Sequence, residues 1–370
     1  MHIGVPKEIK NNEFRVGLTP ESVGELVQSG HKLSVETLAG AGIGATDEAY
    51  RAAGAEIVNT VSDIFASADM IVKVKEPQPE ECAMLREGQI LYTYLHLAPD
   101  LPQTKALIKS KAVCIAYETV TDSSGDLPLL KPMSQVAGRL AVQVGATALQ
   151  KTNGGRGMLL GGVPGVAPAK VVIIGGGDVG FNAAQMAVGL QADVTILERS
   201  AVVMERLSHH FGARARVIRS TPSGLAELIK TADMVIGAVL IPGAAAPRLI
   251  TREMLPTMME GSVLVDVAID QGGCFETSKA TTHADPTYII DGVVHYCVAN
   301  MPGAVARTST YALNAATIGH AKNIAQFGWK EALRRDPHLL NGLNVCGGKV
   351  TYAAAGKAHG IETVDPQSCL

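Results

Sequence analysis

The sequence predicts an α/β protein built from two parallel-sheet domains, and three observations carry the prediction. Short apolar strand patterns alternate with amphipathic helical ones along most of the 370 residues, a spacing that favours parallel strands with helices on their faces. Aliphatic and small residues dominate, with 39 glycines and only 4% aromatics, as closely packed helices on sheets require. The stretch Val171-Val-Ile-Ile-Gly-Gly-Gly-Asp-Val-Gly180, followed by Val194-Thr-Ile-Leu-Glu198, reads as strand, glycine turn, helix and a second strand ending in a carboxylate. That last arrangement makes the domains Rossmann-like. A chain of this length can bury the cores of about two domains.

Taken in order, strands are expected at 3–5, 33–37, 70–75, 89–95 and 112–120. A helix over 20–29 fits between the first two, with Thr19 as its cap, Pro20 at its first position and Gly30 just past its end. This part has no glycine fingerprint of its own, so it is assigned to the other substrate. A stiff segment, Pro128-Leu-Leu-Lys-Pro132, precedes a helical pattern over 134–149, and a glycine-rich stretch over 153–165 leads to the fingerprint strand. Beyond the fingerprint, strands are expected near 234–240, 262–269 and 293–298, then a helix from about 308 to 326. The tail from 330 to 370 returns to the first domain. The layout is therefore a discontinuous first domain (1–130 with 307–370), a Rossmann-like second domain (131–306), long connecting helices and an interdomain cleft.

Composition excludes several classes. A net charge of −3 gives no reason to expect nucleic acid or an anionic membrane as partner. Six cysteines without a CxxC pair read as reduced thiols of a cytoplasmic protein. The amino terminus is too polar for a signal peptide, and the apolar runs near 158–177 and 234–246 are broken by glycine and proline. The expectation is a soluble protein.

The fingerprint is where chemistry first becomes legible. Gly175 allows a tight turn, Gly177 lets backbone approach a pyrophosphate, and Gly180 lets helix pack closely on strand. The amino end of the helix expected over 179–190 offers free N–H groups to an anion. Glu198 stands where an acid binds the adenosine ribose hydroxyls. Ligands of parallel sheets bind beyond the carboxyl ends of strands, which ranks the remaining polar residues. Asp270 follows the strand pattern 262–269 directly, whereas Asp266 lies inside it and reads as structural. His96 follows the pattern Ile90-Leu-Tyr-Thr-Tyr-Leu95, on one face with Tyr92 and Tyr94. Lys75 at a strand end reads, from spacing alone, first as a solvated lysine, and Arg15 taken alone as a surface arginine. Together Arg15, Lys75, His96 and Asp270 point to a small carboxylic acid oxidised by a nicotinamide, since arginine grips carboxylates bidentately.

Several ordered motifs then converge. Gly4-Val-Pro-Lys-Glu8, Arg15-Val-Gly-Leu-Thr-Pro20, Lys73-Val-Lys-Glu-Pro77, Thr93-Tyr-Leu-His-Leu97, Gly161-Gly-Val-Pro-Gly165, Asp266-Val-Ala-Ile-Asp-Gln-Gly-Gly-Cys274 and Ala299-Asn-Met-Pro-Gly303 resemble the bacterial alanine dehydrogenase family over nearly the whole chain. The resemblance implies reversible oxidative deamination of L-alanine to pyruvate and ammonium with NAD reduction. It implies that Arg15 and Lys75 hold the substrate with Tyr94 and Asn300 beside it, that His96 exchanges protons with it, and that Asp270 handles water and ammonia. For the cofactor it implies Gly175, Gly177, Asp178, Val179 and Gly180 in the turn, Ser134 at the phosphates, Glu198 at the ribose and Ser220 on the adenine side. Val239, Leu240, Val267, Ala268, Ile269, Asp270, Val298, Ala299, Asn300 and Met301 would line the nicotinamide. A homohexamer is implied as well.

Some positions depart from the family pattern. Glu198 replaces the usual Asp and should still repel a ribose 2′-phosphate, which favours NAD over NADP. Asp178 stands where an apolar residue is usual, and Lys279 where some members have a cofactor-contacting arginine. Some members hold a metal with Glu118 and a histidine near position 327; Phe327 removes that partner, so no metal is expected. The alternatives are the NAD-binding component of a proton-translocating transhydrogenase, a catalytically silent relative and, more distantly, a saccharopine dehydrogenase.

Overall fold

The computed structural model describes residues 1–239 and 247–370, so the expected cofactor residue Leu240 lies outside the described residues. The chain divides into two compact units, Met1–Met133 with Gly303–Leu370, and Ser134–Pro302.

The first unit contains β1 (His2–Val5), β2 (Lys32–Glu36), β3 (Glu56–Val58), β4 (Met70–Val72), β5 (Ile90–Thr93) and β6 (Val113–Ala116). The second contains β7 (Lys170–Ile174), β8 (Asp193–Glu198), β9 (Ala215–Arg219), β10 (Met234–Gly237), β11 (Val263–Asp266), β12 (Thr287–Ile290) and β13 (Val293–Tyr296). The tail then adds β14 (Leu343–Cys346) and β15 (Lys349–Val350) to the first unit's sheet. The two sheets run β15-β14-β6-β5-β4-β1-β2-β3 and β12-β13-β11-β10-β7-β8-β9. Pairing is parallel except where β14, β15 and β12 join antiparallel at the ends. Both sheets share the doubly wound order, reversing direction between β1 and β4 in one and between β7 and β10 in the other.

Local rules explain the helices. Pro20–Gln28 is capped by the Thr19 hydroxyl, which accepts from the Ser22 N–H, with Pro20 where no N–H is needed. The fingerprint helix is Asp178–Gly189 and the two longest helices are Lys131–Ala148 and Ala306–Phe327. Among the described residues no helix is long and apolar enough to cross a membrane. Each unit has its own aliphatic core, centred on Ile71, Leu91 and Cys114 in one and on Val172, Val235 and Leu264 in the other. Full burial of each such leucine, isoleucine or valine contributes roughly 1.5–3 kcal/mol.

Six strands are shorter than their apolar patterns, β10 ending at Gly237 and β13 at Tyr296 among them. In the other four the ladders stop at Val72, Thr93, Ala116 and Asp266, yet Val74, Tyr94, Leu95, Tyr117 and Val120 beyond them remain buried, as does Val298 beyond β13. Apolarity there reflects burial of the loops leaving the sheet, not strand pairing. One consequence corrects the placement of Asp270, which sits four residues after β11 on the 3₁₀ turn Ile269–Gln271.

Candidate active site

In the first unit, the chain leaving the carboxyl ends of β1, β4, β5 and β6 carries a concentration of charge. Arg15 is buried rather than on the surface, only 2% exposed. Its Nε donates to Glu13 Oε1 at 2.7 Å and one terminal nitrogen to Glu13 Oε2 at 2.5 Å, a bidentate grip, while the other terminal nitrogen meets Met133 Sδ at 3.1 Å. Burial acts to lower the guanidinium's pKa, but the bonds and charge of Glu13 outweigh it and the group stays charged. Glu13 fixes the arginine in place.

Lys75 is half-buried, not a freely solvated lysine. Glu8 accepts from the backbone N–H of Val74 at 2.6 Å and of Lys75 at 3.2 Å, and the Thr93 hydroxyl donates to the Lys75 carbonyl at 2.9 Å. Behind it Lys73 is fully buried between Glu81 at 2.6 Å and Glu8 at 3.1 Å. Sequence reasoning passed over this three-charge cluster; its signal was a lysine between two valines inside an apolar run.

His96 is exposed and has a φ of 51°, the left-handed region that a non-glycine residue adopts only when its surroundings impose it. Its ring stacks on Tyr94 with centroids 5.8 Å apart and planes 7° from parallel. The Tyr94 hydroxyl donates to the Leu129 carbonyl at 2.6 Å, and burial pushes its pKa up, so the phenol stays protonated on that partner. Tyr94 therefore meets His96 with its ring while its hydroxyl is engaged elsewhere.

In the second unit the three glycines have three separate reasons. Gly175 has φ 99° and its missing Cβ would meet the Ala238 carbonyl, so the end of β7 approaches the end of β10. A Cβ on Gly180 would overlap the Gly175 carbonyl. At Gly177 a Cβ would meet nothing within 4 Å, which leaves the turn open. The N-cap of the helix that begins at Asp178 is Gly177, which has no side chain to offer it. An open turn ahead of a helix start is the place where backbone N–H groups can meet an anion such as a pyrophosphate.

Glu198 at the end of β8 accepts from Gly176 N–H at 2.7 Å, Arg199 N–H at 2.6 Å and Ser200 N–H at 2.8 Å. The acid thus pins the glycine turn as well as standing beside it. Because β7 to β11 and β13 are parallel, the segments following them emerge on one edge of the sheet. These are Gly175, Glu198, Ser220, Val239, Val267 to Asp270, and Val298 to Met301. Asp270 is exposed there, and Asn300 has φ 59°. Asp266 is structural: it is buried and accepts from the N–H groups of Ala268 and Cys274 and from the Ser278 hydroxyl. Ser134 is half-buried in Lys131–Ala148, and Lys279 lies in an exposed loop whose N–H donates to the Tyr288 hydroxyl, so neither is a strand-end residue. Among the described residues no three His, Cys, Asp or Glu side chains could together hold a metal ion.

A doubly wound sheet with a dinucleotide turn, and another with a fixed arginine, lysine and histidine at its strand ends, define the class of nucleotide-dependent oxidoreductases. The family model for the alanine dehydrogenase/PNT N-terminal domain matches residues 4–137, and that for the C-terminal domain matches residues 141–353. The alanine dehydrogenase of Halomonas elongata is 57% identical over 370 residues, and that of Methanococcus maripaludis 54% over 371, each match covering both chains completely. A solved L-alanine dehydrogenase superposes with a TM-score of 0.94 at 49% identity, covering 97% of this chain and 99% of its own. A transhydrogenase from Sinorhizobium meliloti superposes at 0.84 with 26% identity, covering 95% and 100%. The chain belongs to the alanine dehydrogenase/PNT family and is an oxidoreductase.

Proposed function

We propose that this chain catalyses the reversible reaction of L-alanine, NAD and water to pyruvate, ammonium, NADH and a proton. The observation that carries this reading is the trio at the first sheet's strand ends: a carboxylate-fixed Arg15, a backbone-anchored Lys75 and an exposed His96. Bound NAD supplies the hydride acceptor. Arg15 binds the substrate carboxylate, and Lys75 faces the carbon that becomes the carbonyl. The substrate nitrogen first gives up its ammonium proton, the one released overall; loss of hydride from Cα then leaves an iminium ion, to which water adds while His96 takes a proton from it. The carbinolamine expels ammonia as His96 returns the proton to nitrogen, and Asp270 exchanges protons with the incoming water and departing ammonia. Tyr94 supports His96, and Asn300 stands beside the substrate.

For the cofactor, Gly175 to Gly180 and Ser134 hold the phosphates, Glu198 the adenosine ribose and Ser220 the adenine side. Val239, Leu240, Val267 to Asp270 and Val298 to Met301 flank the nicotinamide, with Lys279 at the cofactor's edge. The first unit is read as the substrate domain and the second as the NAD domain. We carry the homohexamer on the family resemblance and the cytoplasmic location on the six cysteines without a CxxC pair, and light scattering reads the former directly.

Glu198 gives this reading a second handle. Glu198→Ser should narrow the preference for NAD over NADP, because the charge that repels a 2′-phosphate is gone. It should also weaken NAD binding by about tenfold, roughly 1.4 kcal/mol, because the Gly176 N–H loses its acceptor. Titrations of both cofactors check this; an unchanged ratio removes Glu198 from the discriminating role.

The function itself is tested by following NADH formation from NAD and L-alanine, and its consumption with pyruvate and ammonium. Alanine-dependent turnover in both directions, absent with glutamate, supports the reading. Binding of NAD without turnover would overturn it in favour of a silent relative, and hydride exchange between two nucleotides in favour of a transhydrogenase component.

A further inference from the structure

Glu118 lies on the 3₁₀ turn Tyr117–Thr119 directly after β6, and β6 is the parallel neighbour of β5, whose end leads to His96. Past the register pair Thr93 and Ala116 the two chains no longer pair as strands. The Glu118 carboxylate takes over as acceptor. It receives the Leu95 N–H at 3.1 Å and 3.2 Å on its two oxygens, and the His96 N–H at 2.6 Å on Oε1. Those bonds hold the one residue of this loop with left-handed backbone, and charge-assisted bonds are the strong kind needed to offset that strain. The same Oε1 is 3.9 Å from His96 Nδ1, beyond a hydrogen bond but facing that nitrogen. The glutamate is 14% exposed and the histidine 43%. His96 is thus bounded by the Tyr94 ring on one face and by the Glu118 carboxylate at Nδ1.

We propose that Glu118 is the positioning residue of His96, holding its backbone in the left-handed conformation and favouring the proton on Nδ1 so that Nε2 is the nitrogen exchanging protons with substrate. A carboxylate opposite one imidazole nitrogen favours the tautomer that carries its proton there. The inference rests on the acid–base role proposed for His96, and it gives Glu118 a task that involves no metal.

A double-mutant cycle tests it, using Glu118→Gln, His96→Ala and the double variant in the full-length enzyme, with kcat, KM for pyruvate and NADH affinity measured for each. Glutamine keeps one acceptor oxygen for the backbone but loses the charge. Glu118→Gln should lower kcat by about tenfold through misplacement of the imidazole, with NADH affinity unchanged. In the His96→Ala background the same change should cost nothing further. A full loss of turnover on top of His96→Ala, or normal turnover in Glu118→Gln alone, overturns the proposal while the His96 assignment stands. Normal turnover in His96→Ala overturns both. If Glu118→Gln does not fold, Glu118→Asp is read in the same cycle with the same outcomes: its shorter arm cannot keep both contacts, so an uncoupled loss again refutes the proposal.

Discussion

His96→Ala should lower turnover with L-alanine by about 10²–10⁴-fold while NADH still binds. The size follows from the role: general acid–base catalysis contributes about that much when a positioned group moves a proton in the rate-limiting step. Selectivity for chemistry over binding follows from placement. His96 belongs to the first unit, whereas the glycine turn, Glu198 and the strand-end segments assigned to the cofactor belong to the second. Removing an exposed imidazole also leaves no buried polar group without a partner, so the fold should survive. The readouts are kcat with L-alanine, kcat with pyruvate and ammonium, NADH affinity by fluorescence, and melting temperature. Loss in both directions with the other two unchanged is the expected pattern. Turnover near that of the unaltered enzyme would remove His96 from the reaction, leaving Asp270 as the acid–base candidate.

How much of this was legible in the sequence depends on the range of the interactions. The glycine turn was legible at Gly175 and Gly180 because their constraints are met within a few residues or at a neighbouring strand end. The capped helix after Thr19 was legible for the same reason. Short strands at or near sheet ends, Glu56–Val58, Ala215–Arg219 and Thr287–Ile290, escaped because they are partly exposed and show no sustained apolar alternation. The partners of the site escaped because they come from far along the chain. Glu8 reaches the backbone of Val74 across 66 residues and Glu118 reaches His96 across 22, and no periodicity in the sequence announces either. Arg15 misled in the opposite direction. Its partner Glu13 stands only two residues away, but nothing local marks the pair as buried, and burial is what turns it into a fixed bidentate grip.

Lys73→Met should be the most destabilising of the substitutions considered, by roughly 3–5 kcal/mol, because it removes one partner of a buried ionic cluster and leaves the others uncompensated. Lys73, Glu8 and Glu81 are all essentially without solvent exposure. Burial alone would lower the Lys73 amine, but Glu8 and then Glu81 more than reverse this and keep it charged. Burial also pushes the Glu8 carboxyl up, with Lys73 the main opposing influence. A raised carboxyl contributes stability that is fully present below its unfolded pKa, near 4.5, and is lost as pH rises through the folded value. Without Lys73 that folded value rises further, so the deficit of Lys73→Met relative to the unaltered protein should shrink as pH is lowered from 8 towards 5. Charge balance predicts a second contrast. Glu8→Gln leaves Lys73 paired one-to-one with Glu81 at 2.6 Å, keeps an acceptor for the Val74 N–H, and should cost less than about 1 kcal/mol. The combined variant should be more stable than Lys73→Met alone, because it buries one uncompensated carboxylate instead of two. Melting temperatures of the three variants across that pH range decide the matter. A Lys73→Met deficit independent of pH and untouched by Glu8→Gln would mean that lost packing of the lysine stem, not charge, holds this end of the sheet together.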